Sequence, residues 1–429
     1  MKTVIMAGGK GSRIASVASD IPKPMIPILQ KPILQYEIEC LRDQGLTEII
    51  LVIGYLGACI RNYFGDGTDF GVSISYYEET EPLGTAGALF YLKDVLTEDF
   101  LLLNGDILFD VNFERFIQFH KSKKAKVTLF THPSNHPYDS ALILTDGEQR
   151  VLQWLHKEDP RTDYKNRVNA GLHILSPSVL EMITTGKKTD LDRDILKPLI
   201  SGGGIFAYDS PEYVKDMGTP ERYQAVTQDL KIGRVAAKNL KNKQRAVFLD
   251  RDGTINVSKD FLKNREDFEL IDGVAEALSQ LNQLGFLVIV VTNQPVIARG
   301  ECTVEELDGI HQRMERLLGE QGAYIDDLFY CPHHPDKGFE GEIPELKIEC
   351  DCRKPKPGML LKAAKRYNID LERSYMIGDD QRDMIAGKAV GCCSILIRNG
   401  EESERGNADW QAGSLVEAVK ILKRLERIP

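Results

Sequence analysis

Apolar and polar positions along the 429 residues fall into two blocks with the same grammar. In the first, short β-branched and apolar runs at 4–7, 49–53, 73–77, 100–103 and 127–131 predict strands, and longer patterns at 33–44, 86–96 and 113–121 predict helices. Strands alternating with helices argue for an α/β domain with a largely parallel sheet. Residues 231–245 are basic and lose any apolar face, which marks the close of a domain and a linker. A new apolar run at 246–250 then restarts the pattern, followed by strand-like runs at 286–292 and 375–378. The expected division is a domain over 1–232, a linker over 233–244 and a second α/β domain over 245–429, with no internal repeat.

Composition changes this picture little. Hydrophobic residues make up 42% and charged residues 28%, ordinary for a globular chain. No run approaches the ~20 apolar residues of a membrane span. The first apolar stretch is too short, and too soon followed by glycines, to act as a signal peptide, so the cytoplasm is the expected compartment. A net charge of −10 argues against nucleic acid as a partner. It leaves room for small phosphorylated substrates, which need only a local cluster of Lys, Arg and metal. Of the eight cysteines, Cys331, Cys350 and Cys352 gather with His333 and His334. Without an oxidising compartment, such a cluster reads as metal before disulfide.

The first block carries one ordered set of motifs. Gly8, Gly9 and Gly11 follow strand one and allow close approach of backbone to an anion, with Arg13 and Lys23 adding charge. The spacing is neither that of a dinucleotide-binding loop nor of a P-loop. A second glycine loop, Leu83, Gly84, Thr85, Ala86 and Gly87, comes next. Asp106 ends a strong apolar strand, where α/β ligand sites usually sit. Asn169, Gly171 and Asp216 complete the order. This set resembles the sugar-1-phosphate nucleotidyltransferases, the group that includes mannose-1-phosphate guanylyltransferases. The resemblance implies a Rossmann-like, GT-A-like domain in which a sugar phosphate attacks the α-phosphorus of a nucleoside triphosphate. It implies that Arg13 and the loop at Gly8, Gly9 and Gly11 hold the triphosphate, and that Asp106 and Asp216 hold Mg²⁺. Lys23 would stabilise the transferring phosphate and Lys157 would contact the sugar phosphate. Leu83, Gly84, Thr85 and Gly87 would line the base pocket, and Asn169 and Gly171 would face the sugar. His156-Lys157-Glu158 departs from the family's usual Glu-Lys-Pro, so a common sugar-contacting Glu is missing.

The second block opens on D-x-D-G-T at 250–254. Strand periodicity puts Asp250 and Asp252 on one side of the chain, where one carboxylate attacks phosphorus and the other handles the proton. Thr292 and Asn293 follow a buried run and can hydrogen-bond phosphate oxygens. Lys354, beside Arg353, supplies positive charge, and Asp379 and Asp380 are oxygen donors suited to Mg²⁺. Asp383, three residues further, is assigned to loop orientation rather than to the metal. This order is that of the haloacid dehalogenase superfamily of phosphatases. The resemblance implies Asp250 as nucleophile, Asp252 as acid and base, and Mg²⁺ on Asp250, Asp252 and Asp379.

Three thiolates and one imidazole suit a closed, structural Zn²⁺ that pins a long loop. Cys331-Pro-His-His with Cys350-Asp-Cys-Arg-Lys resembles the D-glycero-D-manno-heptose 1,7-bisphosphate 7-phosphatases, and histidinol-phosphate phosphatases share much of the pattern. The resemblance favours Cys331, His333, Cys350 and Cys352 as ligands, with His334 the rival. Pro295 and Val296 stand where that family has Ser-Gly.

Together the halves imply a bifunctional enzyme. The phosphatase would take heptose 1,7-bisphosphate to heptose 1-phosphate, and the transferase would use GTP to make GDP-heptose. Mannose 1-phosphate or another sugar, histidinol phosphate as the phosphatase substrate, and a first half that only senses a nucleotide sugar remain open alternatives. Base identity, anomer and oligomeric state are not legible.

Overall fold

The five apolar runs of the first block all form strands in the computed structural model, which describes residues 1–9, 21–184, 187–259, 261–398 and 406–427. By its contacts the chain divides into two units. The first comprises residues 1–132, 141–156 and 168–239. Among the described residues its main sheet has nine strands: β1 (Thr3–Met6), β2 (Glu48–Ile53), β3 (Ser73–Glu78), β4 (Phe100–Asn104), β5 (Val127–His132), β6 (Leu142–Thr145), β7 (Val151–Leu155), β8 (Val168–Leu175) and β9 (Ile205–Asp209). Their order is β7-β6-β8-β4-β1-β2-β3, with β5 beside β8 and β9 beside β5.

The strands in the middle are apolar at successive positions because both faces are covered. Ile5, Leu51 and Leu103 enter one core with Leu34, Ile38 and Leu41 of helix α1 (Ile33–Arg42). Val4, Val52 and Leu102 enter the other, with Leu89 and Trp154. Each such side chain, fully buried, stabilises by about 1.5–3 kcal/mol. β1 pairs in parallel with β2 and β4, but β8 runs antiparallel to β4, β5 and β6. The sheet is therefore mixed rather than largely parallel. Between β5 and β8 the chain has no α-helix to carry a parallel crossover, only a 3₁₀ turn at Pro137–Asp139, so it folds back on itself. The expected helix over 86–96 is a 3₁₀ turn, Gly87–Leu92. The residues before it are held against residue 189 by the Thr189 N to Leu83 O and Ala86 N to Thr189 O bonds.

The second unit comprises 133–140, 157–167 and 240–429. Its main sheet is all parallel: β10 (Ala246–Leu249), β11 (Leu287–Asn293), β12 (Asp327–Cys331), β13 (Tyr375–Gly378), β14 (Cys393–Ile397) and β15 (Trp410–Ala412), in the order β12-β11-β10-β13-β14-β15. β10 lies at the centre, so chain leaving β10, β11 and β13 emerges at one edge. Within 233–244, a short helix, Arg234–Ala237, buries Val235 in a cluster with Val226 and Tyr213 of the first unit. Leu240 packs in the core of the second.

The second unit is discontinuous in sequence. Arg167 donates to Glu315 (3.1 Å) and to the Asp326 carbonyl (2.8 Å), and Asn166 N donates to Glu315 (3.0 Å). Arg316 donates to Asp163 (2.8 Å). The Arg167–Glu315 pair is almost fully buried, at 4% and 5% exposure. Removing one partner strands a buried charge, which costs about 3–5 kcal/mol. Arg167→Met should therefore lower the urea midpoint of the second unit, and adding Glu315→Met should recover part of the loss. An unchanged midpoint in Arg167→Met would show the pair to be dispensable.

Candidate active sites

In the first unit, Met6 at the end of β1 lies opposite Asn104 at the end of β4. The two strands therefore release Gly8-Gly9 and Gly105-Asp106 side by side. They border a cleft of about 700 Å³, which Lys23, Gly54, Glu79, Thr85 and Lys188 also line. Gly11 and Arg13 lie outside the described residues.

Lys23 forms an ion pair with Asp106. Asp216 is brought beside them by a two-stranded ladder in which Tyr213–Asp216 runs antiparallel to Ile107–Asp110, with Asp216 opposite Ile107. Burial works against the Asp216 carboxylate, but the Arg222 guanidinium (2.8 Å) and the Gly218 N–H (2.7 Å) more than offset it and hold its pKa below the usual value. Two carboxylates flanked by cations, one of them lining this cleft, form an oxygen-donor set that fits Mg²⁺.

Glu79 was not singled out from the sequence. Burial raises its pKa, while the Leu83 N–H (3.2 Å) works to lower it. A Cβ on Gly8 would stand 2.8 Å from its Oε2, so the glycine makes room for the carboxylate. Gly84 adopts φ +83° and lies 2.4 Å, Cβ position to oxygen, from Thr189 O, a close approach that only glycine permits. Leu83 and Gly87 pack in the same turn, where Leu83 Cβ lies 2.8 Å from the position of a Gly87 Cβ. Lys157 is exposed and falls in a segment of the second unit, not among the residues lining this cleft. Asn169 and Gly171 lie on β8, and Gly171 abuts Asn104.

In the second unit, Asp250 follows β10, and its Oδ1 lies 2.9 Å from Lys354 Nζ. The same ammonium reaches Asp383 at 2.6 Å. Burial disfavours the lysine charge, but the two carboxylates more than offset this and raise its pKa. Oxygens of Asp250, Asp379 and Asp383 lie within 4.8 Å of one another. Burial and the Asp250 charge push Asp379 up to about 6. Three carboxylates against one lysine form a hard-oxygen set that calls for a divalent cation.

Asp383 thus does more than orient a loop. One oxygen meets Lys354, and the other accepts the Asp380 N–H (3.2 Å) in a capping box at the start of helix α2 (Gln381–Lys388). Asp252 stands apart from this cluster. Its carboxylate accepts from Arg251 (2.8 Å), Asn256 (3.0 Å) and Gln294 (3.0 Å), which more than offset burial and lower its pKa. Arg251, fully buried, also meets His311 Nε2 at 3.2 Å. Thr292 Oγ1 accepts from Gln294 (2.8 Å). The Asn293 amide both donates to and accepts from the Lys354 main chain (3.0 Å each), so it positions the lysine rather than standing free for phosphate.

The cysteine cluster abuts this centre. Cys331, Cys350 and Cys352 sulfurs lie 3.3–3.5 Å apart, and His333 Nδ1 lies 3.3 Å from Cys352 and 3.7 Å from Cys331. Bonds of about 2.3 Å in a tetrahedron place sulfurs about 3.8 Å apart, so the four atoms nearly trace a zinc shell. His334 points elsewhere, 3.4 Å from the Asp336 carbonyl. Arg353 donates to the His333 carbonyl (3.2 Å), tying the cluster to the strand of chain that carries Lys354.

Gly253 has φ +76°, and a Cβ there would stand 2.0 Å from Asp379 Oδ2. Gly253→Ala should therefore abolish phosphate release while leaving nucleotidyl transfer intact, read as the two rates on one preparation. Retained phosphatase activity would mean that the Asp379 loop can retreat.

Residues 2–232 match the nucleotidyl transferase family, and residues 351–420 match the HAD-hydrolase-like family. Among curated relatives, the D-glycero-beta-D-manno-heptose-1,7-bisphosphate 7-phosphatase of Escherichia coli K12 is 41% identical over 187 residues, 42% of this chain and 95% of that protein. The enzyme of the same name from Vibrio cholerae is 45% identical over 165 residues, 38% of this chain and 87% of that protein. Among solved structures, HddC from Yersinia pseudotuberculosis, complexed with GMP-PN, is 29% identical with a TM-score of 0.47, covering 53% of this chain and 99% of that one. With a nucleotidyl transferase match over more than half its length and near-complete coverage of the phosphatase relatives, the chain belongs to the nucleotidyl transferase family in its first half and to the haloacid dehalogenase-type phosphatase family of those relatives in its second.

Proposed function

We propose that this protein catalyses two successive steps of nucleotide-activated heptose synthesis, with activities carried by residues 1–232 and 245–429. The second half removes the 7-phosphate of D-glycero-D-manno-heptose 1,7-bisphosphate, and the first transfers GMP from GTP to the resulting heptose 1-phosphate, releasing pyrophosphate. The observation that carries this reading is the Asp250–Lys354–Asp379–Asp383 centre, in a segment that spans nearly the whole length of heptose bisphosphate phosphatases.

In the phosphatase, Asp250 attacks phosphorus and Asp252 handles the proton of the leaving oxygen and then of water. Lys354 balances Asp250 and the phosphate. Mg²⁺ on Asp250 and Asp379, with Asp383 behind, would screen the repulsion between carboxylate and phosphate. In the transferase, Lys23 neutralises the transferring phosphate, and Asp106 and Asp216 would hold Mg²⁺. Guanine offers two adjacent donors, N1–H and the 2-amino group, to a facing carboxylate, which is an acceptor only. Glu79 on the cleft wall suits that edge, whereas adenine and cytosine pair a donor with an acceptor. Zn²⁺ on Cys331, His333, Cys350 and Cys352 would act structurally, holding Arg353 and Lys354 in place. No described helix is long and apolar enough to cross a membrane.

Incubation with Mg²⁺, heptose 1,7-bisphosphate and GTP should yield phosphate first, then pyrophosphate and GDP-heptose. Phosphate without nucleotide sugar would remove the transferase half of the reading. Glu79→Gln puts an amide donor against guanine and should lower kcat/KM for GTP about tenfold or more, narrowing the gap to the other triphosphates. Removing zinc by chelation, then restoring excess Mg²⁺, should suppress phosphatase turnover while transfer persists. Metal analysis of the untreated protein should find zinc, and its absence would remove the structural-metal assignment.

A further inference from the structure

Behind the phosphatase aspartates lies a buried cation that the proposed steps leave unused. Arg251 stands between Asp250 and Asp252 in sequence and is fully buried. Its Nη2 donates to both Asp252 oxygens (3.0 and 2.8 Å), and its Nε to Oδ1 (3.3 Å). Nη1 turns the other way and meets His311 Nε2 at 3.2 Å. His311 lies on the helix Val304–Glu320, 6% exposed, with its ring beside that of Tyr330 on β12 (centroids 5.7 Å apart). Asn256 and Gln294 complete the grip on Asp252, at 3.0 Å each.

The direction of the His311 contact is forced. A guanidinium has donors only, so His311 Nε2 accepts and carries no hydrogen. The ring is therefore neutral, with its hydrogen on Nδ1. One turn further along the same helix, Glu315 accepts from Asn166 N and Arg167. Residues four apart share a helix face, so the face that presents His311 is itself tied down. A neutral acceptor suits this place. An apolar side chain would leave Nη1 unpaired in the core. A carboxylate would compete with Asp252 for the cation.

We propose that His311 is a positioning residue for the phosphatase reaction, acting through Arg251 to hold the Asp252 carboxyl towards the leaving oxygen. This rests on the reading of Asp250 as nucleophile and Asp252 as acid and base. As an Asp250 oxygen bonds phosphorus, the bond from phosphorus to the sugar oxygen breaks with its electron pair, and that oxygen takes the Asp252 proton. Water then attacks the aspartyl phosphate, gives a proton back to Asp252 and releases phosphate from Asp250. A sugar alkoxide needs the proton to leave, whereas p-nitrophenolate leaves without it.

The test compares kcat/KM of the full chain for heptose 1,7-bisphosphate and for p-nitrophenyl phosphate, a ratio that covers the path through cleavage of the ester bond. His311→Leu should lower kcat/KM for the sugar substrate about tenfold or more and that for the aryl phosphate far less. His311→Gln, whose amide oxygen can accept from Arg251, should recover part of the loss. Equal losses on the two substrates, or no loss, overturn the proposal. Should His311→Leu fail to fold, Arg251→Lys is read in its place by the same criteria, because an ammonium lacks the fork that reaches His311 and Asp252 together. Asp252→Asn serves as reference. If it shows no difference between the substrates, the acid role of Asp252 fails and the proposal with it. If it shows the difference and the His311 variants do not, the proposal alone fails. If the wild type prefers histidinol phosphate, the heptose reading fails while His311 is tested unchanged on that ester.

Discussion

A carboxylate at the end of a buried strand must be neutralised, and both halves of this protein are organised around that requirement. In the second unit, β10 and β13 are neighbours in a parallel sheet, so Asp250 and Asp379 emerge together. Asp383 joins them from the first turn of a helix. Lys354 answers part of this charge from within the core, at 2% exposure. Three carboxylates and one ammonium leave a formal charge of 1 − 3 = −2, which one divalent cation balances. In the first unit, β1 and β4 are the neighbours, and the answer to Asp106 and Asp216 comes from Lys23 and Arg222.

Charges gathered this closely need backbone that can approach them. Gly253 against Asp379, Gly378 against Asp383 and Gly8 against Glu79 each leave less space than a Cβ requires. The cysteine cluster serves the same end by another route. It gathers distant chain at Cys331 and at Cys350-Asp-Cys, and Arg353 and Lys354 follow directly. Asn293 then clamps the lysine's main chain from β11. A flexible lysine is thereby delivered to Asp250 with its backbone already fixed, which reduces the entropy lost on ordering it.

Much of this was legible because the signals are local. D-x-D-G-T, the glycine loops and the cysteine spacing each occupy a few consecutive residues whose chemistry follows from identity and order. The departures are all non-local. The family resemblance puts Asp252 with Asp250 and Asp379 on Mg²⁺, yet Asn256 and Gln294, together with the neighbouring Arg251, tie its carboxylate elsewhere. Glu79 carries no motif, and its place on the cleft follows from the end of β3. Lys157 kept its identity in the sequence pattern, but contacts made by its segment assign it to the second unit.

By itself, the sequence determined the two α/β blocks, the strand ends that carry Asp106 and Asp250, and a cluster of three cysteines with histidines whose chemistry suits a metal. These depend on periodicity and on residue types a few positions apart. Only the tertiary structure decided that β8 runs antiparallel, that His333 rather than His334 meets the thiols, and that Asp383 joins the phosphatase carboxylates. It also decided that 133–140 and 157–167 complete the second unit around Glu315, and that Gly171 N and His173 share the Asn169 side-chain oxygen. Each of these rests on a hydrogen bond or ion pair whose geometry is set by how sheets and loops pack, or between residues far apart in the chain. Strand and helix periodicity is blind to both.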